Sequence, residues 1–226
     1  MGKILADYQS PEFVSRWKSL NPIDRKNGAV FYSKEIVENI IPLVKTHRPW
    51  VTINQPFLCA DHAIVFMHGN MQPQAYDWYM GYRDIVMVTA FPHMAEWLKK
   101  RHHKQVVVVP LSINLKEIEQ YKTKKTKEVA FAGRPAKRKI GKLPPDVDLL
   151  EGLEREELLR RVAQYRKVYA VGRCALEAKA LGAEILPYDP RYPDPSIWRV
   201  VDNCEAAEIL QRELDKLDGK GDKRSA

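Results

Sequence analysis

Residues 171–190 read VGRCALEAKALGAEILPYDP, and this stretch decides the fold. The run before it, KVYAV at 167–171, is strand-like; a helix opens at about Cys174, Gly182 ends it, and EILPY at 184–188 resumes as a strand. Strand, helix and strand in close succession build parallel sheets with right-handed crossovers. On this reading Glu177 lies in the first turn of the helix. A carboxylate beside a helix N-terminus, at the C-terminal edge of a parallel sheet, can hold ribose hydroxyls while free backbone N–H groups face a pyrophosphate. A solvated glutamate that only complements the helix dipole fits the same spacing.

The alternation extends outward from there. Strand-like runs stand at 49–54 (PWVTIN), 62–68 (HAIVFMH), 84–89 (DIVMVT), 105–111 (QVVVVPL), 128–132 (EVAFA) and 147–150. The near-continuous apolar runs are those of a sheet covered on both faces. Helical spacing marks 11–20, 33–45 (Ile36, Val37, Ile40 and Val44, with Ser33 as N-cap), 92–103, 155–164 and 202–217. A charged stretch at 116–127 interrupts the pattern. The expected organisation is an α/β protein with two Rossmann-like units: 1–115, a linker at 116–127, a second unit at 128–218, and a polar, frayed tail at 219–226.

The chain has 226 residues and a 45% apolar fraction, enough for one large or two small cores. No apolar run approaches the ~20 residues of a membrane span, and the start, MGKILADYQSPEF, lacks the apolar core of a secretory signal. Cys59, Cys174 and Cys204 are odd in number and far apart, which fits a reducing cytosol better than a disulfide framework or a CxxC metal site. The expectation is a cytoplasmic protein with no membrane span. The net charge of +8 favours an anionic partner. It gathers at 99–104 (KKRHHK) and at Lys122, Lys124, Lys125, Lys127, Arg134, Lys137, Arg138, Lys139 and Lys142. Such clusters are either solvated surface or a phosphate-binding face.

His68 ends a strand-like run ahead of Gly69 and Asn70, at the strand end that lines the crevice in open α/β folds. It is a candidate base for an acceptor hydroxyl, or a structural histidine. Tyr76, Trp78, Tyr79 and Tyr82, with Met71 and Met80, form an aromatic segment that either stacks an acceptor or packs a crossover helix. His62 is at the far end of the same strand as His68 and is a poorer candidate. The chain contains no HExxH, GxGxxG or GxxxxGK[ST] motif, so zinc-protease, dinucleotide and P-loop readings fall away.

The order of these pieces resembles a known family. PLSIN at 110–114 precedes the joint, Gly133 and Arg134 with a following Lys open the second unit, and LEAKALG at 176–182 begins its donor helix. This is similar to the nucleotide-sugar-dependent glycosyltransferases of the GT-B fold, especially the retaining group, over roughly residues 48–190. The resemblance implies two Rossmann-like units facing a central cleft, with a nucleotide sugar as co-substrate and no cofactor or metal. It implies donor binding by Gly133, Arg134, Lys137 or Lys139, and Glu177. The acceptor side then falls to His68 as catalytic base, with Asn70, Tyr76 and Trp78. One departure is Tyr169, eight positions before Glu177, where the family often carries an acid. Small phage-type members that glycosylate modified DNA bases are similarly compact, which brings DNA in as an acceptor. The other function class is a non-catalytic GT-B-like module that binds nucleotide or nucleic acid.

Overall fold

The computed structural model describes residues 28–53, 60–67, 81–102 and 105–219. In chain order its elements begin with α1 (Gly28–Glu35), β1 (Trp50–Ile53), β2 (Ala63–Met67), β3 (Ile85–Thr89), α2 (Pro92–His102), β4 (Gln105–Val108) and α3 (Leu115–Glu119). They continue with β5 (Lys127–Gly133), α4 (Pro135–Arg138), β6 (Asp148–Glu151), α5 (Arg155–Val162), β7 (Tyr165–Tyr169), α6 (Arg173–Ala180), β8 (Glu184–Leu186) and α7 (Asn203–Leu217). The protein is α/β, with two four-stranded sheets in which every pairing is parallel. Among the described residues no helix is long and apolar enough to cross a membrane.

The chain packs as two units. Among the described residues, the first takes in those of Ala29–Pro110 and the chain from Asn203 to Gly219, and the second is Leu111–Asp202 with Gly28. The sequence reading carried the second unit through 218 and began it after a linker at 116–127. Instead, α3 falls inside the second unit, and α7 is grouped with the first.

In the first unit the strand order is β1-β2-β3-β4. All five residues of β2 and all five of β3 are buried, as their unbroken apolar sequences require. On one face Met94, Ala95 and Leu98 of α2 pack over Ala63, Val65, Met67, Ile85, Met87 and Val106. Ser33, expected to cap a helix, is buried within α1, which starts earlier and continues through a wide turn at Ile36–Ile40 into a tight one at Ile41–Leu43. Pro42 has no N–H to donate, and the helix changes pitch just ahead of it. α7 buries Ala206, Ala207, Leu210 and Leu214 and packs against the Ile36–Ile40 turn and β4. Gln211 adds a strap: its Oε1 accepts from the Lys45 N–H at 2.6 Å and its Nε2 donates to the Lys45 carbonyl at 3.0 Å.

The N-terminal edge of this sheet is held by Arg48, which is 1% exposed. Its Nη2 donates to Asp84 Oδ1 at 2.7 Å and to Asp218 Oδ1 at 2.8 Å, and its Nε donates to Asp84 Oδ1 at 3.0 Å. Burial works to raise the Asp84 carboxyl, but hydrogen bonds from His62, Arg48 and His47 outweigh it and hold Asp84 below the usual carboxylate range. Asp84 precedes β3 and Asp218 follows α7, so one guanidinium joins the sheet edge to the last helix.

In the second unit the order is β6-β5-β7-β8. Its two ends are tied together: the Ile113 N–H donates to the Val201 carbonyl at 3.1 Å, and the Leu115 N–H donates to Asp202 Oδ2 at 3.2 Å. Asn114 caps α3 by accepting from the Glu117 N–H at 3.1 Å.

Arg48→Met removes the guanidinium and leaves two carboxylates facing each other without a counter-charge. The expected loss is about 3–5 kcal/mol, the range for breaking a buried ion pair from one side. Urea denaturation of the variant measures it; a loss below ~1 kcal/mol would mean that solvent replaces the guanidinium at no great cost.

Candidate functional site

The second sheet reverses direction once. From β5 the chain goes to β6 on one side, then crosses over to β7 and β8 on the other. The C-terminal ends of β5 and β7 therefore bound a topological switch point, where open parallel sheets bind ligands. Phe131 and Tyr169 are register partners, which puts Gly133–Arg134 and Gly172–Arg173 just beyond the two strand ends.

Both turns are shaped by their residues. β5 ends at Gly133, where an added Cβ would stand 3.2 Å from the Phe131 ring. Arg134 is extended and exposed, Pro135 starts α4 with its missing N–H where no helical bond is needed, and Lys137 follows one turn in. After β7, Gly172 caps α6 at φ 64°, ψ −138°, a conformation that in practice only glycine adopts. A Cβ on Gly172 would stand 3.8 Å from Lys137 Nζ, so this ammonium sits against the N-terminus of α6.

Lys137 is half-buried, and desolvation pushes its pKa below the ordinary lysine range. The Arg134 and Arg191 charges push the same way, while Cys174 and Asp189 oppose them. Among the described residues no carboxylate lies within ion-pair distance of Lys137 or Arg134. Lys139 is exposed at the C-terminal end of α4.

Opposite α4, Asp189 is 1% exposed and accepts from Arg191 Nε at 2.9 Å, from Arg191 Nη2 at 2.6 Å and from the Arg191 N–H at 3.0 Å. Those bonds hold its carboxyl below the usual range, against the opposing effect of burial. At Gly141 an added Cβ would lie 1.7 Å from the Tyr188 carbonyl oxygen, so the loop after α4 passes β8's exit with no room for any side chain.

Glu177 is not in the first turn. α6 opens at Arg173, one residue early, and Glu177 lies in the second turn, 4% exposed. Its Oε1 accepts from Arg173 Nε at 2.7 Å and from Arg155 Nε at 3.1 Å; Arg155 Nη1 also reaches Glu117 Oε1. Among the described residues no hydrogen bond reaches its Oε2. Cys174 stands where a helix N-terminus and nearby cations would favour a thiolate. Desolvation, with the Glu177 charge adding, outweighs Lys137, Arg173 and Arg134 and pushes the thiol up to about 11.

Of the sequence candidates, Gly133, Arg134 and Lys137 come together with Gly172 and Cys174 at the switch point, while Lys139 and Glu177 face elsewhere or inward. Tyr169 ends β7 with its ring edge-on to Tyr188, centroids 6.3 Å apart. His68, Asn70, Tyr76 and Trp78 lie outside the described residues. Sequence reasoning missed Arg173, whose spacing four before Glu177 was a legible ion-pair signal. It also missed Arg155 and Arg191, which had no local signal. No family model matches the chain, and no curated protein matches it.

Glu177→Ala leaves two buried guanidiniums short of a partner, with an expected loss of about 3 kcal/mol or more, contrary to the fold-neutral outcome a solvated first-turn carboxylate would give. Thermal or urea melts of the variant check this. Asp189 supplies the pH dependence. A carboxyl depressed in the fold stabilises it above the ordinary value of about 4 and loses that contribution as pH falls through the folded value. The stability gap between the parent protein and Asp189→Asn is therefore flat through neutral pH and narrows below about pH 4. Urea melts at pH 7 and pH 3 decide, and an equal gap at both would assign the role to shape alone.

Proposed function

We propose that this chain is a glycosyltransferase that moves a sugar from a nucleotide-sugar donor to an acceptor hydroxyl. The observation that carries the reading is Lys137: a half-buried ammonium against the N-terminus of α6, in the field of Arg134 and Arg191, at the reversal of strand order. A desolvated cation among cations is costly until an anion arrives, and a diphosphate is an anion of matching charge and reach. Backbone N–H groups at the start of α6 add donors. As the glycosidic bond breaks, negative charge grows on the leaving diphosphate, and Lys137 and Arg134 stabilise it more than they stabilise the bound ground state. Glu177, which the GT-B resemblance assigns to the ribose, is buried against Arg155 and Arg173 and supports the start of α6 from within. The GT-B resemblance assigns the acceptor, and His68 as its base, to the first unit. DNA enters as an acceptor through charge, with Lys99, Lys100 and Arg101 exposed on the last turn of α2.

A second reading is a module that binds a nucleotide without turnover. Tyr169 in place of an acid favours it, since no carboxylate then stands at the strand end to hold the sugar.

Thermal shift against UDP, GDP, ADP and their sugar conjugates tests the site. One nucleoside diphosphate is expected to raise the melting point, and Lys137→Met is expected to weaken its binding about tenfold to a hundredfold, the loss of one charged hydrogen bond. No shift with any of them removes the proposal. Release of nucleoside diphosphate from a bound donor supports transfer; binding without release, across all donors and acceptors tried, leaves the module reading.

A further inference from the structure

A second cluster lies at the N-terminal edge of the first sheet. His47 comes shortly before β1, His62 immediately before β2, and Asp84 immediately before β3. His47 Nε2 is 2.7 Å from Asp84 Oδ2, and His62 Nδ1 is 3.0 Å from the same oxygen. The three atoms all lie within 4.8 Å of one another. His62 and Asp84 hold φ of 59° and 49°, a left-handed conformation that is uncommon outside glycine and concentrates at functional positions.

His47 faces carboxylates with both ring nitrogens: Nε2 toward Asp84, and Nδ1 toward Asp218 Oδ2 at 3.5 Å. With a metal ion on Nε2, Asp218 would stand on the far side of the ring beside Nδ1, the carboxylate–histidine–metal order that orients a ligating imidazole. Asp84 is prepared in the same way. Arg48 holds its Oδ1 at 2.7 and 3.0 Å, and Oδ2 is left to the two histidines. One guanidinium, Arg48, stands against two carboxylates, Asp84 and Asp218, an arrangement that suits a further cation.

We propose that His47 Nε2, His62 Nδ1 and Asp84 Oδ2 bind a divalent first-row transition ion of the zinc class. Asp218 and Arg48 are positioning residues for that site. Two imidazole nitrogens and one carboxylate select zinc, cobalt or nickel over magnesium and calcium, which prefer all-oxygen sites. The histidine side chains are 51% and 50% exposed, so an entry path and a position for water are open. The ligands come from three separate chain segments at one sheet edge, so the ion cross-links them and stabilises the first unit by mass action.

The test uses the full-length chain stripped with chelator, titrated calorimetrically with zinc chloride alone and by visible absorption with cobalt chloride. One equivalent is expected to bind, with a rise in melting temperature that excess magnesium neither reproduces nor reverses. His62→Ala is expected to lower the affinity at least tenfold. His62→Asn, which tolerates the left-handed backbone, is expected to do the same in a chain that melts like the parent without metal. A His102→Ala, His103→Ala double variant is expected to bind as the parent does. Three results overturn the proposal: no saturable zinc binding; binding unchanged by both His62 variants; or binding lost in the double variant.

Discussion

The first unit depends on a guanidinium that has no access to water. Arg48 sits between Asp84 at the start of β3 and Asp218 at the end of α7, and Gln105 at the start of β4 is within 3.4 Å of its Nη2. Burying one cation and its partners costs several kcal/mol per ion, recovered only where the geometry is good and the remaining donors are satisfied. Here those donors run to groups far apart in sequence. The pair therefore specifies as much as it stabilises: it fixes which surface the last helix covers, since an apolar stripe alone would accept other apolar faces.

The two sheets share an architecture and differ in their order. The first steps in one direction, β1-β2-β3-β4, and the second reverses between β5 and β7. A reversal sends the chain away to opposite sides and leaves the strand ends uncovered between. Gly133, Arg134, Lys137 and Gly172 gather there for this reason of topology. Lys99, Lys100 and Arg101, from an equally dense basic run in the sequence, lie on the last turn of a helix instead and are exposed.

Much of this was legible in the chain. Runs such as AIVFM and IVMVT have only one stable home, a strand covered on both faces, and the strand bounds fell within a few residues of those read from the pattern. Glu177 shows where such reading stops. Its helix begins at Arg173 and not Cys174, and a shift of one residue turns a helical side chain by about 100°. That is enough to carry a carboxylate from a solvated first turn to a buried second turn between two arginines. The grouping of α7 was hidden for another reason: Ala206, Leu210 and Leu214 say that one face is buried, and nothing in them says against what. Arg48, His47, His62 and Asp84 were invisible as a set because they are spread over the approaches to three different strands.

The first unit is discontinuous in sequence, with all of Leu111–Asp202 placed between β4 and α7. Synthesis on the ribosome gives this a temporal order. The stretch Leu111–Asp202 holds both the strands and the helices of the second sheet and can close while translation continues. The first must wait with the surface that α7 covers left open and Arg48 facing Asp84 alone, until α7 emerges with Leu210, Leu214 and Asp218. Its buried strands are the most apolar segments of the chain, so the interval before the last helix arrives is when a nascent chain of this protein is most exposed to aggregation and to chaperones.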